Sequence, residues 1–247
     1  PGKPGFSYVS MGNYIFEREI LEESLIEDAA LPTSHDFGRD IIPKLVQSSR
    51  VFAYDFSTNK LPGKDSSYWR EDRPYWRDVG TIGAYWNAHM DLLQHDSEMT
   101  FFNPKWPIRT VSYADPPSYV CPVDGRSCSV QSTLAAEGSR VLGSSVESSV
   151  LSRNCVILPG SRVEESIIGE GVVVGENCRL KKVIIDSHNV IPPNTVLGYG
   201  EDEDCGFYED QLTVDPVSGI IVVGMPKMQL RKSIDAPKKG YDWSSFS

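Results

Sequence analysis

Apolar positions along this chain follow two rhythms. Up to residue 95 they come in short mixed stretches. "YVSMGNYIF" (8–16) concentrates aliphatic and aromatic residues and predicts a strand. "EREILEESLIED" (17–28) sets Ile20, Leu21, Leu25 and Ile26 on one helical stripe. In "SHDFGRDIIPKLVQS" (34–48), Ser34 or Asp36 offers an N-cap ahead of Ile41, Ile42, Leu45 and Val46. "VFAYDF" (51–56) predicts a second strand, and residues 57–74, polar with Pro and Gly, a loop. A helix follows over 80–94, with Ile82, Tyr85, Trp86, His89 and Leu93 on one face. Asp78 stands just before it, where a carboxylate is an ordinary helix cap.

Residues 96–131 read as a linker, because Pro107, Pro116 and Pro117 prevent long regular structure. The second rhythm then begins. Blocks of seventeen residues align over 132–148, 149–165, 166–182 and 183–199. One column reads Leu134, Leu151, Ile168, Ile185. The next reads Arg140, Ile157, Val174, Ile191, and the last Val146, Val163, Leu180, Leu197. Apolar steps of six, six and five describe a three-sided coil with one short strand per side. Each inward residue lands above its equivalent one coil earlier. This predicts a left-handed parallel β-helix of the hexapeptide-repeat type. Arg140 alone breaks the pattern, and Val141 beside it offers an inward substitute. "GIIVVG" (219–224) predicts a closing strand, so the β-helix domain is placed at 132–230 with a tail at 231–247. The fold class is α/β followed by all-β.

The net charge of −10 excludes a general nucleic-acid or anionic-membrane surface, though a local Lys or Arg group still suits a small anion. Five cysteines, an odd number without a C-x-x-C pair, argue against a zinc ribbon and a disulfide framework. They read as free thiols of a reducing cytosol. No run is apolar enough to span a bilayer, no signal peptide opens the chain, and the "EDEDC" run reads as a solvated loop. The absence of an initiator Met before a predicted strand is the pattern expected of a piece of a longer protein.

"SMGNYIF", "SHDFGRDIIPKL", "YWRDVGTIGAYWNAHMDLL" and "WPIRT…DPPSYV" together resemble the bacterial ADP-glucose pyrophosphorylases (glucose-1-phosphate adenylyltransferases). The resemblance runs from about residue 8 to about residue 224. It implies the C-terminal part of a Rossmann-like nucleotidyltransferase domain at 1–95, followed by the β-helix. The reaction it implies is ATP plus glucose 1-phosphate giving ADP-glucose and pyrophosphate, for glycogen synthesis. It further implies Mg²⁺, a cytoplasmic homotetramer and an anionic metabolite effector. Asp78 matches a metal-binding, catalytic aspartate of the family, and a hard carboxylate suits Mg²⁺. Ser10, Asp36, Phe37 and Trp76 match positions lining the glucose 1-phosphate pocket. Lys181 and Lys182 match a basic stretch at the effector site, whereas Ser187 stands where many members carry Lys or Arg. No G-x-G-x-R-like nucleotide loop occurs in the chain. The resemblance therefore implies a C-terminal portion, inactive alone.

Three other readings compete. A non-catalytic regulatory subunit of such an enzyme would keep the fold and lose the chemistry. A pyrophosphorylase for another nucleoside triphosphate would select its base in a segment not present here. A β-helix acyltransferase would need more coils and a catalytic His between them, and only His188 occupies a coil corner.

Overall fold

The structure is a computed structural model that describes residues 4–5, 9–59, 62, 74–95, 97, 99, 101–200 and 212–225. The acidic run 201–205, most of the 57–74 loop and the tail 231–247 lie outside the described residues. The chain divides into two compact units, Pro1–Asn59 and Lys60–Ser247.

In the first unit, α1 spans Arg18–Ala29, close to its predicted limits. Its apolar stripe is only partly covered: Leu25 and Ile26 remain exposed. A single π-type turn, Phe37–Ile41, leads into α2, Ile42–Ser48. Asp36 starts it, its carboxylate accepting the Arg39 backbone N–H at 2.8 Å. Pro43 sits in the first turn, where its missing N–H costs nothing. Ile41 and Leu45 are buried beneath. The strands predicted at 8–16 and 51–56 are absent among the described residues, which run there as irregular or extended backbone. Val9, Ile15 and Phe52 are each more than 80% exposed. A strand is held by a partner's hydrogen bonds, and no described strand of the chain pairs with these segments.

The second unit opens with α3, Ile82–Asp91. The solenoid follows as five stacked turns. The first holds β1 (Tyr119–Cys121), β2 (Ser129–Gln131) and β3 (Leu134–Ala135). The second holds β4 (Arg140–Leu142), β5 (Ser145–Glu147) and β6 (Val150–Leu151). The third holds β7 (Val156–Ile157), β8 (Arg162–Glu164) and β9 (Ile167–Ile168). The fourth holds β10 (Val173–Val174), β11 (Arg179–Lys181) and β12 (Val183–Ile185). The fifth has β13 (Val190–Ile191) and β14 (Val196–Leu197); β15 (Leu212–Val214) then turns back as a hairpin into β16 (Ile221–Val223). β16 completes the third side by pairing parallel to β12, which makes "GIIVVG" the closing strand expected.

Three parallel ladders form the sides. Their inward columns are Val120–Val141–Ile157–Val174–Ile191, Val130–Val146–Val163–Leu180–Leu197 and Ala135–Leu151–Ile168–Ile185–Val223. The seventeen-residue column pattern holds from Val146 to Leu197. In the first block it slips by one: Ala135 pairs with Leu151 and Val141 with Ile157, in place of Leu134 and Arg140. The solenoid also begins at Tyr119, inside the stretch read as linker. Its first turn leaves Val120 and Val130 half exposed, while Ile157, Ile168 and Leu180 in the middle are fully buried.

Residues in the left-handed region turn the corners, one stack reading Ser132, Ser148, Glu165 and Lys182. The conformation costs a side-chain-bearing residue roughly 1 kcal/mol, and the stacked turns hold it in place. Gly171 turns another corner; a Cβ there would sit 2.7 Å from His188 Nδ1 in the next turn. Buried serines satisfy the corner backbone. Ser166 accepts from Val183 N and donates to Glu164 O, and Ser149 does the same one turn earlier with Ser166 N and Glu147 O.

Candidate functional site

The first unit gathers three of the residues singled out in the sequence. Ser10 Oγ lies 2.7 Å from Tyr14 OH and accepts the Gly12 N–H. The Tyr14 ring stacks on Phe37 with centroids 6.0 Å apart, and Phe16 closes the cluster at 5.8 Å from Phe37. Next to Phe37, a side chain at Gly38 would meet Asp36 Oδ1 at 3.3 Å and Tyr14 OH at 3.7 Å. Glycine there leaves Asp36 Oδ1 uncrowded. Hydroxyls, a carboxylate and aromatic rings are groups suited to a sugar, the polar atoms to its hydroxyls and the rings to its apolar face. Tyr14 and Gly38 were not singled out in the sequence, although each lies inside a motif that was.

The second unit places Trp76 and Asp78 on the extended segment leading to α3, both exposed. Thr81, not Asp78, caps the helix: its Oγ1 accepts the Ala84 N–H at 3.1 Å. Asp78 stands one turn too early and, among the described residues, accepts only the nearby Gly80 N–H, at 3.2 Å through Oδ1. The plain capping reading of Asp78 is thereby set aside. Among the described residues no group of three or more His, Cys, Asp or Glu side chains is arranged to hold a metal. One exposed carboxylate suits a hard cation whose other ligands are phosphate oxygens and water.

Lys181 ends β11, and Lys182 is the left-handed corner after it. Their ammonium groups lie 3.7 and 4.0 Å from the Glu165 carboxylate. Lys182 also lines a cleft of about 160 Å³ with Gly83, Trp86, Asn87, Ser218 and Ile220, between α3 and the solenoid. Lys181 is not among the lining residues. His89, expected inside the core, is half-buried on α3 and bonded to the Tyr85 carbonyl through Nδ1 at 2.9 Å.

Two large pKa shifts lie away from these groups. Burial pushes the Cys155 thiol up to about 12. Burial and the adjacent Glu164 carboxylate push Tyr199 up to about 12. Tyr199 donates to Glu164 at 2.5 Å while Arg162 reaches the same carboxylate at 2.6 Å. These are structural groups of the solenoid interior and one of its sides.

Comparison with known proteins divides the chain between residues 95 and 115, beyond the boundary of the first compact unit at Asn59. A nucleotidyl transferase family model matches residues 1–95, and a GlmU-like C-terminal hexapeptide model matches residues 115–223. The glucose-1-phosphate adenylyltransferase 1 of Vibrio parahaemolyticus is 47% identical over 152 residues, 61% of this chain and 36% of its own. The glucose-1-phosphate adenylyltransferase of Photobacterium profundum is 40% identical over 205 residues, 83% of this chain and 49% of its own. That of Thermodesulfovibrio yellowstonii is 38% identical over the same length, covering 48% of its own chain. The chain thus spans at most about half the length of these relatives. It is similar to part of the glucose-1-phosphate adenylyltransferases, a stretch matching a nucleotidyl transferase model being followed by one matching a hexapeptide-repeat model.

Proposed function

We propose that this chain supplies the sugar-phosphate side of a glucose-1-phosphate adenylyltransferase, which makes ADP-glucose and pyrophosphate from ATP and glucose 1-phosphate. The observation that carries the reading is the cluster of Ser10, Tyr14, Asp36 and Phe37 beside Gly38. In the reaction a phosphate oxygen of glucose 1-phosphate attacks the α-phosphorus of ATP and pyrophosphate leaves. Such transfers depend mainly on alignment and charge neutralisation. Asp36 accepts from sugar hydroxyls, Ser10 donates to the sugar or its phosphate, and Phe37 covers the apolar face of the ring. These contacts fix the direction from which the phosphate oxygen approaches.

Asp78 would hold Mg²⁺, which when bound neutralises phosphate charge. No Gly-rich nucleotide loop lies within the 247 residues, so the proposal assigns the nucleotide to another segment. The wider reading is a cytoplasmic homotetramer serving glycogen synthesis, with Lys181 and Lys182 at a site for an anionic metabolite. In support of the last, Lys182 faces a cleft that α3 also lines.

The test is titration of the chain with glucose 1-phosphate by calorimetry, followed by an ADP-glucose assay on a protein joining it to a nucleotide-binding segment. Saturable binding and Mg²⁺-dependent turnover support the reading. A protein that joins both segments, binds both substrates and makes no ADP-glucose would overturn it in favour of a regulatory subunit.

A further inference from the structure

We infer that Asp28 and Asp40 are positioning residues for the sugar-phosphate side chains, gripping alternate residues of the Thr33–Asp36 loop so that Asp36 and Phe37 are set at the head of α2. The inference rests on the function proposed above.

Asp28 is in an unfavourable place for a carboxylate. It is 4% exposed and lies in the last turn of α1, where the helix dipole disfavours negative charge. Both its oxygens are used on the loop. Oδ1 accepts the Thr33 hydroxyl at 2.8 Å, and Oδ2 lies 2.7 Å from His35 Nδ1. Asp40 grips the intervening positions: its Oδ2 accepts the Ser34 hydroxyl at 2.5 Å and the Asp36 N–H at 3.0 Å. Thr33 and His35 thus face one carboxylate, Ser34 and Asp36 the other.

Between the two grips His35 is held left-handed, at φ 55°, a conformation with a steric cost for any residue bearing a Cβ. That turn delivers Asp36 in an extended conformation, with its carboxylate on the Arg39 N–H and Phe37 against Tyr14. The same hydrogen bonds hold both carboxyls below their usual range: from His35 and Thr33 for Asp28, and from the Ser34 hydroxyl and the Asp36 N–H for Asp40.

The experiment combines amide hydrogen exchange with glucose 1-phosphate titration on the 247-residue chain. Asp28→Ala should speed exchange over residues 33–41 by roughly tenfold or more, the scale of losing charge-assisted hydrogen bonds. Solenoid amides should not respond. Sugar-phosphate affinity should fall by a similar factor, and Asp28→Asn, which keeps polar atoms at both contacts, should recover most of it. Thr33→Val, which removes one hydroxyl, should act in the same direction more weakly and serves if Asp28→Ala does not fold. Unchanged exchange in these variants overturns the clamp. Faster exchange with unchanged affinity overturns the positioning role. A parent chain that binds no glucose 1-phosphate, while its loop still responds to Asp28→Ala, overturns the site reading and with it the positioning role.

Discussion

The indole N–H of Trp86 donates to the backbone carbonyl of Glu165 at 2.8 Å, tying α3 to a corner of the solenoid. Glu165 is one of the left-handed corner residues, and its carboxylate faces Lys181 and Lys182. Trp86→Phe keeps an aromatic ring and removes the donor, leaving a half-buried carbonyl without this partner. The expected cost is about 1 kcal/mol, read as a lower urea midpoint, with faster amide exchange confined to α3 and the corner at 165. An unchanged midpoint would mean that this contact does not hold the helix.

The slip of register in the first block has its own energetic signature. Leu151 is 1% exposed in the middle of its column, whereas Leu134 is only half-buried beside Ala135. Leu151→Ala should cost about 2–5 kcal/mol, the range for a core leucine. Leu134→Ala should cost about 1 kcal/mol, in proportion to its partial burial. Equal losses in urea titrations would restore Leu134 to the inward column.

The solenoid was legible because its signal is local and repeated. One inward residue per side, five or six positions apart, is visible without knowing what pairs with what. The slip was legible only at Arg140, where Val141 offered itself as the inward residue; at Leu134 and Ala135 both side chains fit an inward place. The strands expected at 8–16 and 51–56 fail for the opposite reason. Their aromatic content states a preference for a half-buried sheet, but pairing depends on distant segments that a local pattern cannot supply. At the candidate site, Ser10, Asp36 and Phe37 stood out by motif. The grip of Asp28 on Thr33 and His35 did not, because it joins a helix end to a loop through side chains that read individually as solvated.

Burial separates the thiols. Cys155, raised to about 12 by desolvation, and Cys178, raised by the same cause, should stay almost unlabelled by iodoacetamide at pH 8 in the folded chain. Among the described cysteines, half-buried Cys121 and Cys128 should react before these two. Peptide mass mapping over time checks the order. Early modification of Cys155 would mean that the solenoid interior opens more readily than its packing implies.

Acid should loosen the Thr33–Asp36 loop. Asp28 and Asp40 both have native pKa values below the ordinary carboxylate value. Their contribution to stability is therefore complete above the unfolded-state pKa of about 3.9 and is lost as pH falls through the lower native values. The side-chain carboxyl carbon resonances of Asp28 and Asp40 should titrate below the ordinary carboxylate value of about 3.9. In Asp28→Asn the part of the transition that belongs to Asp28 should disappear. A loop that rearranges well above pH 5 would point to a different titrating group.

Asp78 and Thr81 separate chemistry from structure within four residues. Thr81 supplies the cap of α3, so Thr81→Ala should lower stability by about 1 kcal/mol. It should leave glucose 1-phosphate affinity untouched. Asp78 caps nothing; its carboxylate accepts one exposed N–H and is otherwise presented to solvent. Asp78→Asn keeps that acceptor and removes the charge, so the melting temperature should not move. In a protein that joins this chain to a nucleotide-binding segment, however, kcat for ADP-glucose should fall on the order of a hundredfold or more, the scale of losing a charge that holds a catalytic cation. Raising Mg²⁺ should recover part of the rate if the loss is in metal affinity. A variant that melts earlier and turns over normally would return Asp78 to a structural role and leave the metal to residues elsewhere.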